Sequence, residues 1–184
     1  MSDSFENSKR QGPGASGLAT LKVPPNSIEA EQAVLGGLML DNSEWDNISD
    51  LIIAEDFYRP EHQIIFRVMF QQSEDNQPID VVTLGEALDR LHEMDNAGGI
   101  DYLGELASNA RGTANIKAYA EIIRERAVLR KLIRVANEVM ESGYNPGERK
   151  AAEVLDQAEQ KIFDIGDDRP RDGSPRPINP ILHH

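Results

Sequence analysis

The feature that most constrains this chain is a long amphipathic segment, residues 115–165, which is interrupted only once. In its first part, apolar residues recur at steps of three and four, the period of a helix with one apolar face. The stripe consists of Tyr119, Ile122, Ile123, Leu129, Ile133, Ala136 and Met140, together with the aliphatic stem of Arg126, and Leu132 and Val139 widen it. The pattern predicts one long helix.

The ends of this helix are marked by residues that typically cap or break helices. Asn115 is the predicted N-cap, and Gly143 and Pro146 are predicted to end the helix. A second helix, predicted from about 148 to 165, carries Val154, Leu155, Ala158, Ile162 and Phe163. Because only a short connection separates the two, we predict an antiparallel helical hairpin.

The predicted hairpin is long for a chain of 184 residues. At about 1.5 Å per residue its first helix spans roughly 40 Å, more than the preceding part of the chain needs for its own core. An apolar stripe that projects past its domain is typical of an interaction surface. The pattern therefore predicts an oligomerisation element. The alternative is a monomeric bundle in which the head covers the whole stripe.

Composition excludes several classes of function. The formal net charge is −13, and a chain this acidic is a poor independent binder of nucleic acid, because phosphate contacts need a basic surface. There is no cysteine, which excludes disulfides and thiolate metal sites. No apolar run reaches transmembrane length, and the N-terminus lacks a signal-peptide core. We expect a soluble, cytoplasmic protein with no membrane contact.

The chain divides by composition into four regions. Residues 1–22, rich in Ser, Gly and Asn, are predicted to be a flexible arm. Residues 23–113 are predicted to form a small helical head, and residues 114–166 the hairpin. Residues 167–184 hold four prolines and are typical of the start of a linker. A linker with nothing after it predicts a truncated chain, and the two terminal histidines are typical of a tag remnant.

The head is predicted to be entirely helical, so the fold class is all-α. Asn26 is the predicted N-cap of its first helix, with Glu29 three residues later as a capping box. Gly36 and Gly37 inside this helix cost about 1 kcal/mol each relative to Ala, which predicts a close helix crossing at that point. A helix beginning at Pro60 is apolar nearly all round and is predicted to be the central helix of the head.

Two further head helices follow. Thr83 and Glu86 offer a capping box for the first, with Asp80 as an alternative cap. After a turn at Gly98 and Gly99, a short helix carries Ile100, Tyr102, Leu103 and Leu106.

The sequence contains few patterns that indicate a catalytic or metal-binding site. No G-x-x-x-x-G-K-[ST] phosphate loop is present. His62 and His92 have no cysteine partners and no metal-binding spacing, which argues against zinc. His62 is predicted to be a surface or capping residue, and the carboxylates of Glu29 and Glu31 to lie on a solvated helix face. The residues alone thus predict an interaction module, with no catalytic, metal or cofactor site.

The one basic cluster lies on the long helix. It consists of Arg124, Arg126, Arg130, Lys131 and Arg134. Spaced next to Glu121 and Glu125, these side chains are predicted to form a salt-bridged surface. A subunit contact and a nucleic-acid contact are the alternatives.

Five segments resemble the N-terminal half of the bacterial replicative DNA helicases of the DnaB family, in the same order. They are PPNSIEAEQAVLGGLMLD (24–41), EDFYRPEHQIIF (55–66), PIDVVTLGEAL (78–88), GGIDYLGELA (98–107) and ANIKAYAEIIRERAVLRKLI (114–133). The resemblance covers most of residues 24–168. It implies a helical head plus a hairpin, with hairpins pairing into dimers that build a collar on a hexameric ring.

The resemblance also implies partners and a division of labour. The collar receives the helicase-binding domain of primase and, as a further partner, a helicase loader. In the family, the binding of ATP and Mg²⁺ and most DNA contacts belong to a C-terminal motor domain. No residue of this chain corresponds to that domain.

By resemblance, the primase-contact candidates are Glu29, Tyr102 and Ile133, although helix capping or core packing would also account for them. The oligomer-interface candidates are Ile122, Leu129, Ile133, Ala136, Met140, Leu155 and Ile162. The alternative to a helicase collar is an autonomous α-helical dimer, an adaptor, loader or regulator that shares the helicase head. An ending inside a Pro-rich linker favours the collar.

Overall fold

The computed structural model describes residues 22–167, which form seven α-helices and two short 3₁₀ turns with no strand among them. The helices are α1 (Ile28–Leu40), α2 (Trp45–Ile48), α3 (Pro60–Glu74), α4 (Val81–Arg90), α5 (Gly99–Asn109), α6 (Ile116–Tyr144) and α7 (Ala151–Asp167). The 3₁₀ turns are Asn42–Glu44 and Ala54–Asp56. The all-α prediction is confirmed. Nearly all of the predicted N-terminal arm and of the predicted linker lies outside the described residues.

The centre of the head is α1, which contacts α3, α5 and α6. Val34, Leu35 and Leu38 are fully buried on it. The prediction that the helix beginning at Pro60 is central was wrong. That helix, α3, packs against α1, α4 and the Ala54–Asp56 turn but leaves Phe70 48% exposed. Its apolar residues form a nearly continuous run, so the sequence does not show which face of the helix is buried. Large apolar side chains also occur on protein surfaces.

The Gly36–Gly37 pair marks a close helix crossing, as predicted. A Cβ on Gly36 would collide with the backbone carbonyl oxygen of Leu106 on α5. A Cβ on Gly37 would stand 3.1 Å from Cδ1 of Ile116, the first residue of α6. The two glycines therefore let α5 and α6 approach α1 more closely than any side chain would allow.

The caps differ in detail from the prediction. The N-cap of α1 is Ser27, whose hydroxyl accepts the N–H of Ala30 at 3.3 Å. Asn26 instead donates its side-chain amide to the carbonyl oxygen of Pro24 at 2.8 Å. Of the two predicted caps for α4, Asp80 is the one that forms, accepting the N–H of Thr83 at 2.9 Å. In both cases the N-cap is the residue directly before the helix, and its side-chain oxygen accepts a backbone N–H.

The hairpin forms as predicted, with a break between Tyr144 and Ala151. The 29 residues of α6 span about 43 Å at roughly 1.5 Å per residue. The first half of α6 packs into the head, while the second half packs against α7. The helix continues one residue past Gly143, the predicted end. Within residues 22–167, no helix is both long enough and apolar enough to cross a bilayer.

The residues of α6 that are buried are not those of the predicted stripe. The buried residues are Ile116, Ala120, Ile123, Ala127 and, farther along, Val135. Only Ile123 belongs to the predicted stripe, whose other members are partly or fully exposed. The alanines are small enough to let α6 lie close to α1, and the larger residues are left on the flank. Large side chains therefore marked the uncovered face of this helix.

Candidate functional site

A groove with a volume of about 770 Å³ lies between α1, α5, the 110–115 loop and the start of α6. Seven of its seventeen lining residues are small, namely Ser27, Ala30, Ala33, Ser108, Ala110, Gly112 and Ala114. The other ten are larger or charged, namely Glu29, Gln32, Tyr102, Glu105, Leu106, Asn109, Arg111, Asn115, Tyr119 and Ile122. The small residues leave room between these larger side chains, so the groove is a candidate docking site for a segment of another protein.

Three predicted contact residues converge on this groove. Glu29 and Tyr102, both named as primase-contact candidates, lie on opposite walls, α1 and α5. Ile122, named as an oligomer-interface candidate, also lines it and packs against the head core. The third primase-contact candidate, Ile133, does not line the groove. It lies farther along α6 and is exposed.

A hydrogen-bonded chain of polar side chains runs from the groove wall into the head, from the half-buried Tyr102 to the buried His62 and Glu31. Nδ1 of His62 is 2.5 Å from Oε2 of Glu31, and Nε2 of His62 is 2.6 Å from the hydroxyl oxygen of Tyr102. The imidazole is fully buried and Glu31 is only 1% exposed. Glu31 also accepts the backbone N–H of Tyr58 at 2.6 Å. This polar relay (Glu31, His62 and Tyr102) joins α1, α3 and α5.

The relay contradicts two predictions. His62 was predicted to lie on the surface, and Glu31 on a solvated helix face. A signal for both existed in the sequence. Glu31 is in phase with Val34, Leu35 and Leu38, and His62 with Ile65, Phe66 and Met69, all of them buried. A polar residue at the start of an apolar stripe, spaced at three and four, lies on the buried face and needs a buried partner.

A second polar cluster fixes the hairpin to the head. Nη1 of Arg124 is 2.9 Å from Oδ1 of the buried Asp56. Arg130 donates to the carbonyl oxygens of Pro25 at 2.7 Å and Asp56 at 2.5 Å. Its guanidinium carbon also lies 5.5 Å from the centre of the Tyr58 ring. Part of the predicted salt-bridged surface thus serves this contact, because buried carboxylates and carbonyls recruit Arg strongly.

The outer half of the hairpin presents a broad apolar surface. Its exposed members are Leu129 (37%), Leu132, Ile133, Met140, Leu155, Ile162 and Phe163 (67%). Ala136 is also exposed. Six of the seven predicted interface residues therefore lie on this surface, Ile122 being the exception. None of the residues of α7 is buried in this chain. We call this set the hairpin face.

A polar contact also joins the two hairpin helices. Nζ of Lys161 is 2.7 Å from Oε2 of Glu138. This hydrogen bond, together with the charge of Lys161, lowers the pKa of Glu138. Because both side chains are almost half exposed, solvent screens the pair and it adds little to stability. Between residues 22 and 167, no group of three or more His, Cys, Asp or Glu side chains is placed to hold a metal ion.

Comparison with known proteins gives consistent matches. A family model for the DnaB-like helicase N-terminal domain matches residues 23–125 of the 184. The replicative DNA helicase DnaB of Haemophilus influenzae is 45% identical over 151 residues, which cover 82% of this chain and 32% of the relative. The chain spans about a third of the length of the curated relatives it matches.

Solved structures give the same result. The N-terminal domain of DnaB helicase from Mycobacterium tuberculosis is 36% identical with a TM-score of 0.74, covering 77% of this chain and 99% of that one. The N-terminal domain of DnaB helicase from Helicobacter pylori, described with its interactions with primase, is 26% identical with a TM-score of 0.54, covering 62% of this chain and 89% of that one. The chain belongs to the family of DnaB-like helicase N-terminal domains.

Proposed function

We propose that this chain acts as the non-catalytic N-terminal collar of a hexameric replicative helicase. Its hairpin pairs with the hairpin of a second copy, and its groove receives primase at the replication fork in the bacterial cytoplasm. ATP, Mg²⁺ and most DNA contacts are assigned to a motor outside this chain. A helicase loader is a further proposed partner. The hairpin face is the single observation that carries the proposal.

The hairpin face supports pairing because its own chain leaves it uncovered. Fully burying a Leu, Ile, Met or Phe side chain contributes roughly 1.5–3 kcal/mol relative to full exposure. The face offers seven such side chains at 37% to 67% exposure, on two antiparallel helices. A second hairpin could cover all of them at once, and a twofold axis would place the same residues on both sides.

The primase contact is supported by one relative and by the groove. The Helicobacter pylori N-terminal domain is described together with its interactions with primase. In the present chain, the groove brings together two residues, Glu29 and Tyr102, from separate matched segments. Ile133 lies on the hairpin face and would contact primase only if that partner extends from the groove along α6.

Sedimentation equilibrium tests the pairing. Leu129→Asp and Ile162→Asp each place a charge in the hairpin face, so we expect the wild type to be a dimer or larger and both variants to shift towards monomer. Val82→Asp is the matched control. Val82 is 71% exposed on the first turn of α4, away from the hairpin, where Asp favours the helix N-terminus.

Circular dichroism establishes that each variant is folded. If both hairpin variants keep the wild-type mass while retaining native helicity, the hairpin face is not the subunit contact. Calorimetric titration with the helicase-binding domain of the cognate primase tests the second part. Saturable binding is expected, and a wild type that binds nothing at the highest workable concentration contradicts the primase role.

A further inference from the structure

The orientation of the Tyr102 hydroxyl depends on which nitrogen of His62 carries the proton. Glu31 is the starting point, since its Oε1 accepts the N–H of Tyr58 at 2.6 Å and its Oε2 lies 3.4 Å from the backbone nitrogen of Arg59. A carboxylate that receives backbone donors acts as an acceptor. Nδ1 of His62, 2.5 Å from Oε2 of Glu31, is therefore assigned as the donor in that bond.

The second ring nitrogen then has the opposite role. In a neutral imidazole with its proton on Nδ1, Nε2 carries a lone pair and accepts. In this neutral tautomer, the hydroxyl of Tyr102, 2.6 Å from Nε2, donates its proton into the protein interior. On the groove side only oxygen lone pairs remain. Nε2 of Gln32 approaches them at 3.4 Å, a long contact that leaves an acceptor site for an incoming donor.

The charges around the groove favour the same kind of partner. Glu29 and Glu105 contribute two carboxylates to its lining, while Arg111 is the one cation among the described lining residues. Within residues 22–167, neither Glu29 nor Glu105 forms a salt bridge, so both carboxylates remain available to attract a positive group. Complementary charge at an interface selects partners and orients them.

We propose that the buried Glu31–His62 pair fixes the Tyr102 hydroxyl as a hydrogen-bond acceptor in the groove, and that primase inserts a Lys or Arg side chain there. The cation donates to Tyr102 and is attracted by Glu29 and Glu105. His62 and Glu31 are positioning residues, since they act through Tyr102 without touching the partner. This inference rests on the proposed primase contact.

Glu31→Gln is the decisive variant because it reverses the relay without touching the groove. The amide oxygen of Gln at this position keeps the Tyr58 N–H, while its NH₂ faces Nδ1 of His62. Nδ1 must then accept, so the imidazole proton moves to Nε2 and donates to Tyr102. The hydroxyl is left as a donor towards the groove, where a Lys or Arg has no acceptor for it.

The test is calorimetric titration of the full chain with the helicase-binding domain of primase. Losing a hydrogen bond to a charged group weakens binding about tenfold, and we expect this for both Tyr102→Phe and Glu31→Gln. Glu29→Gln should weaken binding and reduce its dependence on salt. Glu86→Gln, on an exposed position of α4, is the charge-matched control and should bind like the wild type.

Nitrogen-15 NMR of the His62 ring shows which nitrogen carries the imidazole proton. This position would not change if Glu31 and His62 only stabilised the fold. In the wild type we expect the proton on Nδ1, and in Glu31→Gln on Nε2, with the melting curve showing that the variant folds. A wild-type proton on Nε2 overturns the inference. Wild-type binding that Tyr102→Phe, Glu29→Gln and folded Glu31→Gln all leave unchanged also overturns it, while the proposed primase contact stands. A wild type that does not bind refutes both.

Discussion

Gly36→Ala is expected to destabilise the protein even though it improves helix propensity. In the interior of α1, replacing Gly by Ala gains about 1 kcal/mol. Here, however, the new methyl group would overlap the carbonyl oxygen of Leu106, and this atom belongs to the α5 backbone, so the whole helix must move. Overpacking of this kind costs about 1–3 kcal/mol. Taking the upper part of that range, we expect a net loss of about 1–2 kcal/mol.

Two other helical glycines provide matched comparisons for the same substitution. A methyl group at Gly104, inside α5, would meet no atom within 4 Å, so Gly104→Ala should keep the full propensity gain of about 0.5–1 kcal/mol. A methyl group at Gly37 would meet Cδ1 of Ile116 at 3.1 Å, the end of a side chain that can adjust. Gly37→Ala should therefore be close to neutral.

Thermal unfolding followed by circular dichroism distinguishes the three variants. For a chain of this size, 1 kcal/mol shifts Tm by roughly 2–4 °C. We expect a fall of roughly 2–8 °C for Gly36→Ala, a rise of roughly 1–4 °C for Gly104→Ala and little change for Gly37→Ala. If Gly36→Ala raised Tm as much as Gly104→Ala does, α5 would not cross α1 as closely as described, and the reasoning from the glycine pair would be refuted.

Three further outcomes follow from single contacts. Arg124→Met leaves the buried Asp56 carboxylate without its ion-pair partner and should cost about 3–5 kcal/mol in urea unfolding; a loss below about 1 kcal/mol would show that the pair is not buried. His92 follows α4 with φ 57°, so His92→Gly should raise the free energy of unfolding by about 0.5–1 kcal/mol, and no gain would contradict the left-handed assignment. Lys161 lowers the pKa of Glu138 below its ordinary value of 4.5. Their contact therefore stabilises the fold at pH values above 4.5, and this stabilisation is lost as pH falls through the lowered pKa. Lys161→Met should return the pKa of Glu138 to its ordinary range in an NMR titration, and an unchanged pKa would mean that the bond does not form in solution.

The parts of the fold that could be predicted from sequence are those that depend on local chemistry. Periodicity located the hairpin, and Gly143 and Pro146 placed its break to within a few residues. The Gly36–Gly37 pair predicted a close crossing because its cost within a helix needs a tertiary reason. The sequence did not predict that α5 is the helix that crosses there. Leu106 of α5 lies about seventy residues farther along the chain than Gly36, and no local pattern indicates such a distant contact.

The candidate site was predicted only in part because two of its polar residues, Glu31 and His62, are buried. Tyr102 was singled out by resemblance, but the partners that orient its hydroxyl, His62 and Glu31, were assigned to the surface by their residue type. Burial of a charged residue depends on whether its partner is present. That partner came from another helix in each case, and only the three-dimensional arrangement brings the three side chains together.

The two proposed surfaces are carried by a single helix. Ile122 lines the groove, and Leu129 begins the hairpin face seven residues later, a rise of about 10 Å along α6. Between them and just beyond, Arg124 and Arg130 fix the same helix to Asp56 of the head. A shift of α6 against the head would change the groove and the hairpin face together, and it would have to break these buried contacts. The contacts of Arg124 and Arg130 with Asp56 therefore hold the surface proposed for primase and the surface proposed for the second copy in one fixed relation.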